Sequence, residues 1–115
     1  MRFDNMIFVN IKDPLDREVS LPEDAWKNIQ EGHPELSSWT SISLTIQEPN
    51  VIASSSRKAN RDIYYKLGAL DTYPPLYVAV VVTFWEKRRG IVTTAHLSGN
   101  IKSVGSGGFK YVSRK

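Results

Sequence analysis

The sequence predicts an α+β domain, with an N-terminal hairpin and two helices packed on a roughly four-stranded antiparallel sheet. Three observations predict it. Apolar residues between Leu21 and Ile46 recur at helical spacing, the pattern switches to period-two alternation after Pro49, and the longest apolar run, "LYVAVVVTFW", is rich in β-branched and aromatic residues. That run is also too short for the roughly 20 apolar residues that span a bilayer. We divide residues 1–115 as one domain: a hairpin over 1–20, helices over 21–48 and an antiparallel meander over 50–115, with no repeat or linker.

In "MIFVNIKD", Ile7, Val9 and Ile11 alternate with Phe8 and Asn10, which marks a strand. "DPLD" turns the chain and "REVSL" returns as its hairpin partner. "SLPEDAWKNIQEG" reads as a helix: Ser20 and Glu23 have capping-box spacing, Pro22 sits in the first turn, and Gly32 can close the far end in a left-handed conformation. Trp26 and Ile29 mark its buried face. A second helix is expected from Pro34 to about Gln47, with Leu36, Trp39, Ile42, Ser43 and Ile46 at helical spacing and Pro49 as its stop. Its β-branched load lowers propensity, so packing must hold it. The meander follows as "VIAS", "RDIYYKL", "LYVAVVVTFWE" and "GIVTTAHLS", with "FKYVS" as a last edge strand after a glycine-rich connection.

The composition excludes several classes. There are no cysteines, hence no disulfide framework, thiolate nucleophile or cysteine zinc site, which suits a cytoplasmic setting. The N-terminus has no signal-peptide pattern. No Walker loop, GxGxxG, nucleophile elbow or HExxH spacing is present, so we expect no cofactor and no metal. "VGSGG" can offer backbone amides to a phosphate or serve only as a turn. A net charge of +3 is compatible with an ordinary soluble surface. The cations bunch in "SSRKANRDIYYK", "EKRRG" and "SRK", which favours a phosphate-bearing partner.

On the central strands, Leu76, Val78, Val80, Val82 and Phe84 share one face and are expected beneath the helices. On the partner strand, Ile91, Thr93, Ala95 and Leu97 form the more apolar face, while Val92, Thr94, His96 and Ser98 form the more polar one. Thr94 and His96 then look out from the uncovered side, a placement that a one-residue slip would reverse. In "RDIYYK" either face sets an aromatic beside a cation, which suits bases and phosphates; tyrosines are also ordinary strand residues. His33 has two readings. It can pack or cap at the helical joint, or, at a helix N-terminus where the positive dipole end favours the neutral ring, act as a base. His96 is either an exposed strand histidine or its acid–base counterpart.

"DPLDREVSLPEDAWKNIQEGHPEL", "TIQEPNVI", "RDIYYK", "YVAVVV", "VTTAHLSGNIK" and a closing "GGF", in this order, resemble the phage-associated, PBECR-like branch of the barnase–EndoU–colicin–RelE (BECR) nuclease superfamily. The likeness runs from about Asp13 to Phe109. It implies helices on one side of a four-stranded antiparallel sheet, RNA across the other, and metal-independent endoribonuclease chemistry that leaves a cyclic phosphate, in a toxin or phage-derived effector. An antitoxin or immunity-type protein is an implied partner. By position, "HPE" makes His33 the candidate acid–base; Arg57, Lys58 and Arg61 become candidate phosphate binders that stabilise a pentavalent transition state, with Arg57 and Arg61 as the electrostatic clamp. Tyr64 and Tyr65 become candidates for stacking a base or moving a proton, and Thr93, Thr94 and His96 for positioning the scissile phosphate. The family pattern has a basic residue before "HPE"; Gly32 stands there. The alternative is a non-catalytic RNA- or protein-binding module, or a structural protein, of the same fold.

Overall fold

The computed structural model describes residues 7–36, 38–55, 58, 60–70, 75–101 and 108–113, with side chains from residue 9. Nine elements follow in chain order: β1 (Ile7–Lys12), β2 (Glu18–Pro22), α1 (Glu23–Gly32), α2 (Trp39–Gln47), β3 (Val51–Ser54), β4 (Arg61–Leu67), β5 (Tyr77–Glu86), β6 (Arg89–Ser98) and β7 (Phe109–Val112). The class is α+β. The sheet is larger than expected and mixed: seven strands in the order β1-β2-β6-β5-β4-β3-β7. All neighbours are antiparallel except β2 and β6, which pair in parallel over Glu18–Ser20 and Arg89–Ile91. The N-terminal hairpin therefore extends the meander instead of standing apart from it. After Pro22 the chain leaves the sheet as α1, which packs against β6 and β2. Among the described residues no helix is long and apolar enough to cross a membrane.

Both helix starts differ from expectation. Ser20 lies inside β2, where its hydroxyl donates to Asn10 Oδ1 at 2.6 Å, so the capping box does not form. Pro22 precedes α1 without a side-chain cap, and Glu23 and Asp24 supply negative charge to the first turn instead. Gly32 stays helical and His33 is the C-cap, because a residue before proline is driven out of the helical region. Residues 33–36 form a turn closed by Leu36 N–H donating to His33 O at 2.9 Å. Hence α2 begins only at Trp39, capped by the Ser38 hydroxyl, which accepts from Thr40 N–H.

The core lies between the helices and one sheet face. Ile29, Leu36, Ile42 and Ile46 meet Val78, Val80, Val82, Tyr64 and Ile52, all essentially inaccessible to water. As expected, Val78, Val80, Val82 and Phe84 lie on the helix side. The expected alternation on β6 fails at one point. Val81 pairs with Thr94 and Val82 with Val92, so Thr93 is the extra residue of a β-bulge. Val92 therefore turns into the core, and Ile91 comes opposite Thr83. Beyond the bulge, Ala95 and Leu97 face the helices while Thr94 and His96 face away.

That other side is not bare. Val51, Ala53, Tyr65 and Ala79 form a second buried cluster, with Ile63, Tyr77 and Ile101 packed on it.

Candidate functional site

His33 is fixed by its backbone. Its N–H donates to Ile29 O at 2.7 Å, its carbonyl holds Leu36, and Leu36 is fully buried. His96 stands on β6 opposite Ala79, whose small side chain leaves room on that face. The two imidazoles meet: their ring centroids are 6.1 Å apart and their planes are tilted by 41°. His33 Nδ1 lies 3.4 Å from Glu35 Oε2, and its side chain remains 39% exposed. Thr94, exposed and two residues from His96, projects on the same face. Thr93 does not join it; its hydroxyl donates to Val81 O at 3.1 Å and seals the bulge. The dipole argument for His33 is corrected, since the ring sits at the carbonyl end of α1 and not at a helix N-terminus.

The other predicted residues lie elsewhere. Arg61 pairs with Thr83 and His96 with Ala79, which places them about 13 Å apart along the strands and two strands apart across them. Arg61 shares the sheet face away from the helices but not the histidine cluster, and its Nε donates to Thr83 Oγ1 at 3.4 Å. Lys58 is exposed in the loop before it. Arg57 lies outside the described residues, as does most of "VGSGG". Neither tyrosine offers a face to a base. Tyr64 points to the helix side with 0% exposure, and Tyr65 is 1% exposed in the second cluster, edge-on to Tyr77. Alternation sends the two rings to opposite faces, and each face is covered.

Tyr64 belongs to a buried polar network that sequence reasoning missed. Asp13 Oδ1 accepts the N–H groups of Leu15 and Arg17 at 2.9 and 2.8 Å, which organises the turn between β1 and β2. Asp16 completes the turn at φ 64°, a left-handed conformation that a short polar side chain tolerates. Arg17 donates from Nε to Asp13 at 2.9 Å, from Nη1 to Asp62 at 2.9 Å and from Nη2 to the Tyr64 hydroxyl at 3.1 Å. The Tyr64 hydroxyl donates to Asp13 Oδ2 at 2.5 Å. Burial opposes the charge on Arg17, but Tyr64, Asp62 and Asp13 outweigh it and hold the proton above its ordinary range. Burial pushes the Tyr64 phenol far above its ordinary value; Arg17 opposes this and Asp13 adds to it. Lys110 Nζ is 3.0 Å from Asp62 Oδ1, an ion pair without hydrogen-bond geometry. The sequence signal was the Asp13–Arg17 spacing across "DPLDR", which reads as a solvated turn until Asp62 arrives from β4.

Arg17 also stacks over the Phe84 ring, 4.2 Å from its centroid. The neighbouring glycine makes this possible. A Cβ at Gly90 would come within 2.8 Å of Phe84 Cδ2 and Cε2 and within 2.7 Å of Val82 Cγ1. The same end of the sheet collects the cations. Arg88 pairs with Asp16 and Arg89 with Glu86, while Lys58, Arg61 and Lys87 have no acidic partner among the described residues. The two imidazoles and the cations without an acidic partner among the described residues thus lie toward opposite ends of β5 and β6. In comparisons with known proteins, the chain matches no family model, no curated protein and no solved structure.

Proposed function

We propose that this chain is a metal-independent endoribonuclease-like domain of the BECR type, acting in the cytoplasm as a toxin or phage-derived effector, with an antitoxin or immunity-type protein as counterpart. The observation that carries the reading is the approach of His33 and His96, the chain's two histidines, to 6.1 Å between ring centroids beside Glu35. Two imidazoles at this separation can bracket one phosphate. His33 takes the proton from a ribose 2′-hydroxyl, and Glu35 steadies the imidazolium that forms. His96 gives a proton to the departing 5′-oxygen, so the products are a 2′,3′-cyclic phosphate and a free 5′-hydroxyl. The Thr94 hydroxyl orients the phosphate. Lys58 and Arg61 hold flanking phosphates rather than the scissile one. On this proposal the antiparallel run β6-β5-β4-β3 is the part of the seven-stranded sheet that would serve as the four-stranded unit.

A second reading, an RNA-binding module that does not cut, is favoured by the distance between the unpaired cations and the histidines. Incubation of the protein with single-stranded RNA in excess chelator separates the two. The ribonuclease reading expects cyclic-phosphate ends, lost in both His33→Ala and His96→Ala. Salt-sensitive binding without cleavage selects the module. Cleavage that survives both substitutions removes the histidines from the reaction.

A further inference from the structure

At the end of the sheet remote from the histidines, a cleft of about 460 Å³ opens between the end of β5, the start of β4 and β7. Its volume falls within the range of small-ligand sites. Arg17 and Phe84 line its wall, Lys87, Lys110 and Asn60 its polar rim, and the Trp85 indole, 57% exposed, stands beside them. Glu86, the acid at the rim, turns to Arg89 at 3.9 Å. Lys87 has no acidic partner among the described residues. Arg17 is positioned by three of its five N–H groups, and the other two carry no bond among the described residues. Asn60 donates to Phe84 O at 3.2 Å, which leaves its amide oxygen as an acceptor.

We infer that this cleft is a nucleotide-binding site, with the base stacked on Trp85 and the phosphate held by Lys87, while Lys110 stays in its ion pair with Asp62 Oδ1 at 3.0 Å. An exposed indole beside an ammonium group with no acidic partner pairs a π-face with an anion clamp, the combination that a base joined to a phosphate satisfies. An anion alone has no use for the indole, and an apolar ligand has none for the ammonium group. The Asn60 amide oxygen can accept a base N–H. The inference does not depend on cleavage at the histidines, because the two sites share no residue.

Calorimetric titration of the full chain tests it with three probes: adenosine 5′-monophosphate, an uncleavable 2′-O-methyl oligoribonucleotide and inorganic phosphate. Saturable binding of the first is expected, with Trp85→Ala weakening it about 5- to 150-fold and Lys87→Gln also weakening it. Both side chains are exposed, so circular dichroism should show folded variants. Binding of the oligonucleotide alone, weakened by the same substitutions, keeps the site and identifies its ligand as a nucleotide within a strand. Phosphate binding as tightly as the mononucleotide overturns the inference, as does no saturation at millimolar concentration or binding indifferent to both substitutions. RNA cleavage with an inert cleft refutes this inference alone, and nucleotide binding without cleavage refutes the ribonuclease proposal alone.

Discussion

Replacing Tyr64 with phenylalanine separates a structural tyrosine from a substrate-binding one. The hydroxyl donates to Asp13 Oδ2 at 2.5 Å and accepts from Arg17 Nη2 at 3.1 Å, with no access to water. Losing a hydrogen bond to a charged partner costs about 1.5–3 kcal/mol, and an Arg17 donor left without its acceptor adds about 1 kcal/mol. Asp13 keeps its Arg17 Nε bond, and Arg17 keeps Asp62, so the network is weakened but not emptied. The expected loss is therefore about 2–4 kcal/mol. An unfolding entropy of about 0.24 kcal/mol/K for a chain of this length converts that to a fall of about 8–17 °C in Tm. Thermal and urea unfolding followed by circular dichroism measure it. A double-mutant cycle with Asp13→Asn should show coupling of about 0.5–3 kcal/mol. A loss below about 0.5 kcal/mol, or unchanged stability with weakened RNA binding, would refute the assignment of Tyr64 to the fold.

Gly90→Ala should cost about 1–3 kcal/mol by overpacking, because the new methyl group meets Phe84 and Val82 below 3.0 Å; a Tm within about 2 °C of the parent would mean that the ring is not held there. Stability should decline in alkali. The folded chain keeps the Tyr64 proton that the unfolded chain releases near its ordinary value of 10.0, so this contribution is intact below that pH and shrinks as pH rises above it. The decline should be smaller in Tyr64→Phe, and urea midpoints between about pH 8 and 11.5 report it. Arg61→Gln should reduce the slope of log affinity for single-stranded RNA against log salt by about 0.7, the value for one phosphate contact; an unchanged slope would place Arg61 off the RNA path.

Local signals made much of the fold legible. The alternation in "LYVAVVV" assigned Val78, Val80 and Val82 correctly to the helix side, because every second residue of a strand must face one way. "RDIYYK" marked β4, and "FKYVS" the edge strand β7. Other features answer to partners far away in sequence. The register of β6 depends on the Thr93 bulge, which is settled against Val81 and Val82 on the facing strand. The parallel pairing of β2 with β6 joins segments about seventy residues apart, and no turn motif announces it.

The candidate site divides along the same line. From the sequence came two histidines, one at a helical joint and one on a strand face, together with a surplus of cations. Tertiary structure alone brought the rings together, because α1, which ends at His33, packs against β6, which carries His96. It also sent Tyr64 and Tyr65 to opposite buried faces, and set Arg61 and Lys58 at the far end of the sheet. Backbone propensity acts over a few residues and can be read from neighbours. Side-chain convergence is fixed by how whole elements pack, and that depends on residues the local chain never meets until it folds.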